Sequence, residues 1–156
     1  MQKVAAYDRP VDVTVRETTL EDLPILFEHQ RDPVGAEMAA FRSRDWDAFV
    51  AHEAKLRADP TLMRLTIVAD GEVVGSMGVW GEGEREISYW IDRVAWGKGI
   101  ASAAVAALLA DVKERPLIAH VAEHNVGSMR VLERNGFVET GREQDGDVLL
   151  LRFRLE

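Results

Sequence analysis

The chain has 156 residues, 47% hydrophobic and 29% charged, with a formal charge of −8 at pH 7 and no cysteine. That length suits one domain with a real core, and no apolar run approaches the roughly 18 residues of a membrane span. The missing cysteine excludes disulfides, thiolate metal sites and a cysteine acyl-enzyme. The acidic balance argues against a nucleic-acid surface, which needs a basic patch. It is compatible with a cationic substrate such as an amine, although most such acidity merely keeps proteins soluble. The first ten residues contain no apolar stretch of signal-peptide length, so a cytoplasmic protein is the expectation.

Val11 to Arg16 alternates apolar and polar residues, with Val11, Val13 and Val15 on one face, as a half-buried strand does. Thr19 can cap the next helix, with Asp22 three residues on and Leu20, Leu23, Leu26 and Phe27 as its apolar stripe. Asp32-Pro33 breaks it. A second helical region holds Met38 and Phe41, restarts near Asp45 and ends at Asp59-Pro60. Met63 to Ala69, the turn Asp70-Gly71 and Glu72 to Trp80 read as a hairpin. A strand over Glu86 to Asp92 follows, then a glycine-rich turn and a small-residue helix from Ala101 to Lys113. Leu117 to Ala122 is a short strand of the buried type, and Asn125 to Asn135 is a helix closed by Gly136. Phe137 to Gln144 and Asp147 to Leu155 form a closing hairpin around Asp145-Gly146.

This order predicts one α/β (α+β) domain over residues 11–156, after an N-terminal extension, 1–10. The sheet is mixed, mostly antiparallel and seven-stranded, with about four helices. The strand–helix–strand unit from Glu86 to Ala122 must place its two strands parallel, and that pair can splay beside the glycine-rich turn. Glycines at a strand-to-helix junction allow close backbone approach, and the first helix amides have no internal partner. Phosphate suits such a place, although the same turn can simply join a strand to a helix.

Glu86-Ile87-Ser88-Tyr89-Trp90-Ile91-Asp92, followed by Trp96-Gly97-Lys98-Gly99-Ile100-Ala101, resembles the acetyl-CoA-binding signature of GNAT-type N-acetyltransferases. Asn125-Val126-Gly127-Ser128-Met129-Arg130-Val131-Leu132-Glu133-Arg134-Asn135-Gly136-Phe137 resembles a second motif, closest to that of the ribosomal-protein N-terminal acetylase branch. The resemblance covers the chain from about Val11 onward. One position departs: Trp96 stands where the pattern Gln/Arg-x-x-Gly-x-Gly/Ala has Gln or Arg.

The resemblance implies a GNAT fold with a splayed parallel pair at the cofactor site and acetyl-CoA as co-substrate. The pyrophosphate falls to the backbone of Trp96, Gly97, Lys98, Gly99, Ile100, Ala101 and Ser102. Lys98 either adds charge there or sits in solvent. Backbone groups at Ile91 pair with pantetheine, and one amide polarises the thioester carbonyl. Tyr89 and Ile91 can at the same time alternate into the core. Asn125 contacts the pantetheine arm or serves only as a helix cap. Ser128 lies near the sulfur, as general acid or as a hydrogen-bond donor.

The attacking amine must be neutral, and Glu86 is the first choice of general base, ahead of Glu123 and His124. Each of the three can instead be an exposed polar residue. Glu37, Met38, Phe41 and Trp80 are candidates for the acceptor side, with core packing as the alternative. His29 and His52 have ordinary helical spacing, and no histidine pair has metal-ligand spacing, so no metal is expected.

The expected activity is N-acetyl transfer to a primary amine by direct attack in a ternary complex. The acceptor is a protein N-terminus or a small amine. An open acceptor cleft favours the first and a closed acidic pocket the second. No nucleic-acid or membrane partner is expected, and a homodimer is compatible with this reading. The non-enzyme alternative is an acyl-CoA-binding domain that acts as a sensor or interaction module. A Rossmann-like nucleotide domain fits poorly, because its glycine fingerprint follows the first strand.

Overall fold

In the computed structural model the described residues are 10–156, so all of the expected extension but Pro10 lies outside them. The strands are β1 (Val13–Glu17), β2 (Met63–Ala69), β3 (Glu72–Trp80), β4 (Arg85–Ile91), β5 (Leu117–Ala122), β6 (Val138–Asp145) and β7 (Val148–Leu155). The α-helices are α1 (Leu23–Gln30), α2 (Pro33–Met38), α3 (Trp46–Ala58), α4 (Ile100–Asp111) and α5 (Val126–Arg134). The second helical region of the sequence is therefore two helices. Asp32 caps α2 by accepting from the amides of Val34 and Gly35, so Asp32-Pro33 ends one helix and starts another. Phe41 lies beyond the end of α2.

One seven-stranded sheet has the order β1-β2-β3-β4-β5-β7-β6. All neighbours are antiparallel except β4 and β5, whose parallel pairing is limited to Arg85↔Leu117 and Glu86↔Ile118. Beyond Glu86 the two strands separate. The β2–β3 hairpin turns through Asp70 and Gly71, both at positive φ, which matches the twist of the flanking strands.

The main core lies between the sheet and α4 and α5. Ile67, Met77, Val79 and Ile87 from the strands meet Val105, Leu108 and Leu132 from the helices. Each large apolar side chain so buried contributes about 1.5–3 kcal/mol. A smaller cluster of Leu23, Leu26 and Phe49 sits under α1 and α3. At the entrance to α1, buried Asp22 accepts from both Arg16 Nη atoms (2.7 and 2.9 Å), from Thr66 Oγ1 (3.0 Å) and from the Thr19 amide (2.8 Å). The Arg16 guanidinium, with the Thr19 and Thr66 donors, holds this carboxyl well below the usual carboxylate range. This network ties β1, β2 and the start of α1 together.

Candidate active site

Two grooves open on the line where β4 and β5 part. The first, with a volume of about 550 Å³, runs past the turn before α4, and its walls include Ile91, Trp96, Gly97, Gly99 and Ile100 to Ser102. Gly97 and Gly99 both have positive φ, at 76° and 75°. The first α4 hydrogen bond runs from the Ala103 amide to the Gly99 carbonyl (3.1 Å), so the amides of Ile100, Ala101 and Ser102 have no partner within the helix. Lys98 is exposed at the tip of the turn and is not part of the wall. The positive charges facing this groove are Arg130 and Arg134 of α5, neither of which has a carboxylate partner among the described residues. Free amides at a helix start beside two uncommitted guanidinium groups fit an anionic, phosphate-bearing ligand.

At the end of β4 the Asp92 amide donates to the Val74 carbonyl (2.8 Å). In the antiparallel β3–β4 pair the polar groups of alternate residues face the neighbour. Ser88, Trp90 and Asp92 thus turn theirs to β3, while Tyr89 and Ile91 turn theirs to the gap. The Trp96 indole reaches back and donates from Nε1 to the Ile91 carbonyl oxygen (2.8 Å). The Ile91 amide keeps its outward direction.

The second groove, of about 710 Å³, lies on the face of the sheet under α1 and α3. Phe41, Trp80 and Trp90 supply aromatic walls, and Arg44, His29 and His120 supply polar ones. Of the residues expected on the acceptor side, Phe41 and Trp80 are here. Met38 lies in the first groove instead, and Glu37 lines neither. The Glu37 carbonyl accepts from His124 Nε2 (2.8 Å), which pins that imidazole to α2. Glu123 is exposed and outside both grooves.

The two grooves share Ala39, Tyr89, Trp90, Asn125 and Ser128 in their walls. At this meeting point the Tyr89 hydroxyl lies 2.6 Å from Ser128 Oγ and 3.1 Å from the Ser128 carbonyl oxygen. Burial pushes the Tyr89 hydroxyl up to about 12, against a smaller opposing effect of the Ser128 hydrogen bond. It stays protonated at neutral pH. Asn125 is the α5 N-cap, with Oδ1 accepting from the Ser128 amide (3.2 Å), which holds Ser128 at the meeting point.

Glu86 does not line either groove. Its register partner is Ile118, and His120, two residues further on, is on the same face. Glu86 Oε1 lies 3.0 Å from His120 Nδ1. The other ring nitrogen, Nε2, lies 3.9 Å from Glu143 Oε1. His120 lines the groove, and Glu86 contacts it from the neighbouring strand on the same face.

Tyr89, His120, Arg130 and Arg134 were not legible as site residues in the sequence. The one available signal was His120, the single polar residue in the run Leu117 to Ala122. No group of three or more His, Asp or Glu residues that could hold a metal occurs among the described residues. No helix among them is long and apolar enough to cross a membrane.

Residues 12–138 match the family model described as Acetyltransferase (GNAT) domain. No curated protein matches the sequence. Among solved structures, the chain is similar to spermidine N-acetyltransferase from Vibrio cholerae in complex with CoA and spermine. That match has 18% identity and a TM-score of 0.79, covering 92% of this chain and 94% of the other. Mycobacterium smegmatis RimJ in complex with CoA-disulfide matches at 24% identity and a TM-score of 0.78, covering 94% and 84%. Ribosomal-protein-alanine N-acetyltransferase from Brucella melitensis matches at 25% identity and a TM-score of 0.76, covering 91% and 98%.

Proposed function

This chain belongs to the GNAT acetyltransferase domain family, and from that premise we propose that it moves an acetyl group from acetyl-CoA to a primary amine, which attacks the thioester directly. The observation that carries the reading is the shared wall of the two grooves, where Tyr89 and Ser128 touch. A donor in one groove and an acceptor in the other meet only there. Direct attack also suits a chain with no cysteine to hold the acyl group.

Acetyl-CoA supplies the activated acetyl group. The amides of Ile100, Ala101 and Ser102 and the guanidinium groups of Arg130 and Arg134 hold its phosphates. Trp96, Gly97 and Gly99 shape the turn, and Lys98 adds long-range charge only. The Ile91 amide, directed into the gap, is the donor for the thioester carbonyl. Asn125 positions Ser128, and Ser128 Oγ hands a proton to the departing sulfur while Tyr89 replaces it from behind and regains its own proton from solvent. His120 Nε2 takes the proton of the attacking amine, and Glu86 orients the imidazole.

Spermidine N-acetyltransferase from Vibrio cholerae and ribosomal-protein-alanine N-acetyltransferase from Brucella melitensis support two acceptor classes, a small amine and a protein N-terminus. The resemblance to the ribosomal-protein acetylase branch favours the second. Calorimetric titration with acetyl-CoA, followed by measurement of thiol release with a panel of amines, tests the proposal. Micromolar binding with amine-dependent thiol release is expected. No binding up to millimolar acetyl-CoA overturns it.

A further inference from the structure

The second groove does not have the charge that the net value of −8 suggests. Two carboxylates line it, Glu53 and Asp59. Glu53 is committed to Arg64, with contacts of 2.8 Å from Nη2 and 3.1 Å from Nε, and Arg64 Nη1 also donates to the Met77 carbonyl. That pair cancels itself. Asp59 caps the far end of α3 and accepts from the Thr61 amide and hydroxyl at 2.9 and 2.7 Å.

At the opposite end of α3, about 20 Å away by the helix rise, is Arg44. Its guanidinium carbon lies 5.3 Å from the Phe41 ring centroid, and Phe41 meets Trp90 edge-on at 5.3 Å. Trp90 belongs to the wall shared with the donor groove. Arg44 has no carboxylate partner among the described residues. Its backbone is clamped from both sides by the Gln30 side chain, which accepts from the Arg44 amide (2.8 Å) and donates to its carbonyl (3.0 Å). A cation without a counter-ion is thus held in place near the transfer point.

The neighbour of Gln30 supplies a second uncommitted group. His29 is 8% exposed and lines the same groove, and its Nδ1 is buried without a hydrogen-bond partner. Its Nε2 lies 3.7 Å from Asp92 Oδ2. With the proton on that side, Nδ1 is a bare acceptor awaiting an N–H. A guanidinium and an acceptor nitrogen within one groove complement a molecule that has an anion and an N–H donor. A polyamine would bring a second cation to Arg44, the one arginine lining this groove with no carboxylate partner among the described residues.

We propose that the acceptor is an amine that carries a carboxylate, bound by Arg44 in the groove that ends at Tyr89 and Ser128. This rests on the acetyl-transfer reading above. The carboxylate belongs either to a free amino acid or to an acidic first residue of a peptide, and the two sources call for separate arms.

Wild type and Arg44→Gln are assayed for thiol release from acetyl-CoA with matched acceptors. These are amino acids against their amides, peptide amides beginning with Asp against Asn, and spermidine. A charge-assisted bond of about 1.5–3 kcal/mol converts to a kcat/KM preference of about ten- to a hundredfold for the carboxylate in wild type. Arg44→Gln is expected to bring the ratio to within about twofold through KM, and Arg44→Lys to keep part of it. The arm in which the preference appears identifies the source. Equal use of acids and amides, a preference for spermidine, or a preference that survives Arg44→Gln overturns the proposal.

A binding arm works without turnover. N-acetyl amino acids and their amides are titrated into the CoA-bound protein and followed by tryptophan fluorescence. Selective binding of the acid without turnover with any acceptor keeps the carboxylate assignment and sinks acetyl transfer. Equal binding of acid and amide sinks the assignment. Acetyl-CoA affinity within about twofold of wild type shows that the Arg44→Gln protein is folded.

Discussion

The indole Nε1–H of Trp96 is donated to the carbonyl oxygen of Ile91 at 2.8 Å. Trp96 stands at the position where the family pattern has Gln or Arg, and here that side chain closes the turn back onto the end of β4. It leaves Ile91 with its amide turned to the gap and its carbonyl occupied.

Trp96→Phe keeps the ring and removes the donor. A hydrogen bond of this kind is worth about 0.5–1.5 kcal/mol, so acetyl-CoA is expected to bind about two- to tenfold more weakly by calorimetry. The rate at saturation should stay within about twofold. An unchanged dissociation constant would remove Trp96 from the positioning of β4.

Ser128→Ala and Tyr89→Phe should each lower kcat by on the order of a hundredfold and leave acetyl-CoA affinity nearly unchanged. Because their hydroxyls touch at 2.6 Å, the double variant is expected to lose little more than either single one. Strictly additive losses would show that the two hydroxyls do not form one proton path. With the Tyr89 hydroxyl pushed up to about 12, its deprotonation should not lower the rate anywhere below about pH 11.

His120→Gln should reduce kcat/KM by at least about a hundredfold, measured by thiol release. Glu86→Gln should cost less, because the carboxylate only orients the ring. If Glu86→Gln is the more damaging change, the two roles are reversed and Glu86 is the base.

Folding stability should decline in two stages as pH falls. His29 and His52 are both held below the ordinary imidazole value of 6.5, chiefly by burial. The folded state therefore binds fewer protons than the unfolded chain, and stability is full above about pH 6.5 and falls below it. Asp22, held below its ordinary value of 3.8 by the Arg16 guanidinium first of all, adds a second loss starting near pH 4. Melting temperature measured from pH 8 to pH 3 checks both stages. Asp22→Asn, expected to cost about 2 kcal/mol at pH 7, should flatten the lower one.

Local chemistry accounts for what was legible in the sequence. Met63–Ala69, Glu72–Trp80 and Leu117–Ala122 carry their own apolar pattern and turn signals, and these strands occur with those bounds. The glycine-rich turn and the Asn125 cap are likewise written in a few adjacent residues. Tyr89 and Ser128 are 39 positions apart, and Glu86 and His120 are 34 apart. Their contacts exist only once β4, β5 and α5 have converged, and no local pattern signals them. Glu86 was read as the base because it borders the site in sequence. The structure adds His120 beside it, a contact between two strands that the start of one strand alone does not reveal.

The two-residue parallel pairing of β4 with β5 also bears on how the molecule holds together. The sheet is continuous on either side of that place and barely stitched across it, so the proposed reaction line is a seam between two halves of one fold. A ligand arm laid along the outward groups of Tyr89 and Ile91 supplies hydrogen bonds of the kind a longer β5 would have made. In the proposed reading, donor binding completes the sheet. By mass action alone, saturation at 100 times the dissociation constant adds about 2.7 kcal/mol to stability. Slower amide exchange should accompany it at the ends of β4 and β5 and little elsewhere.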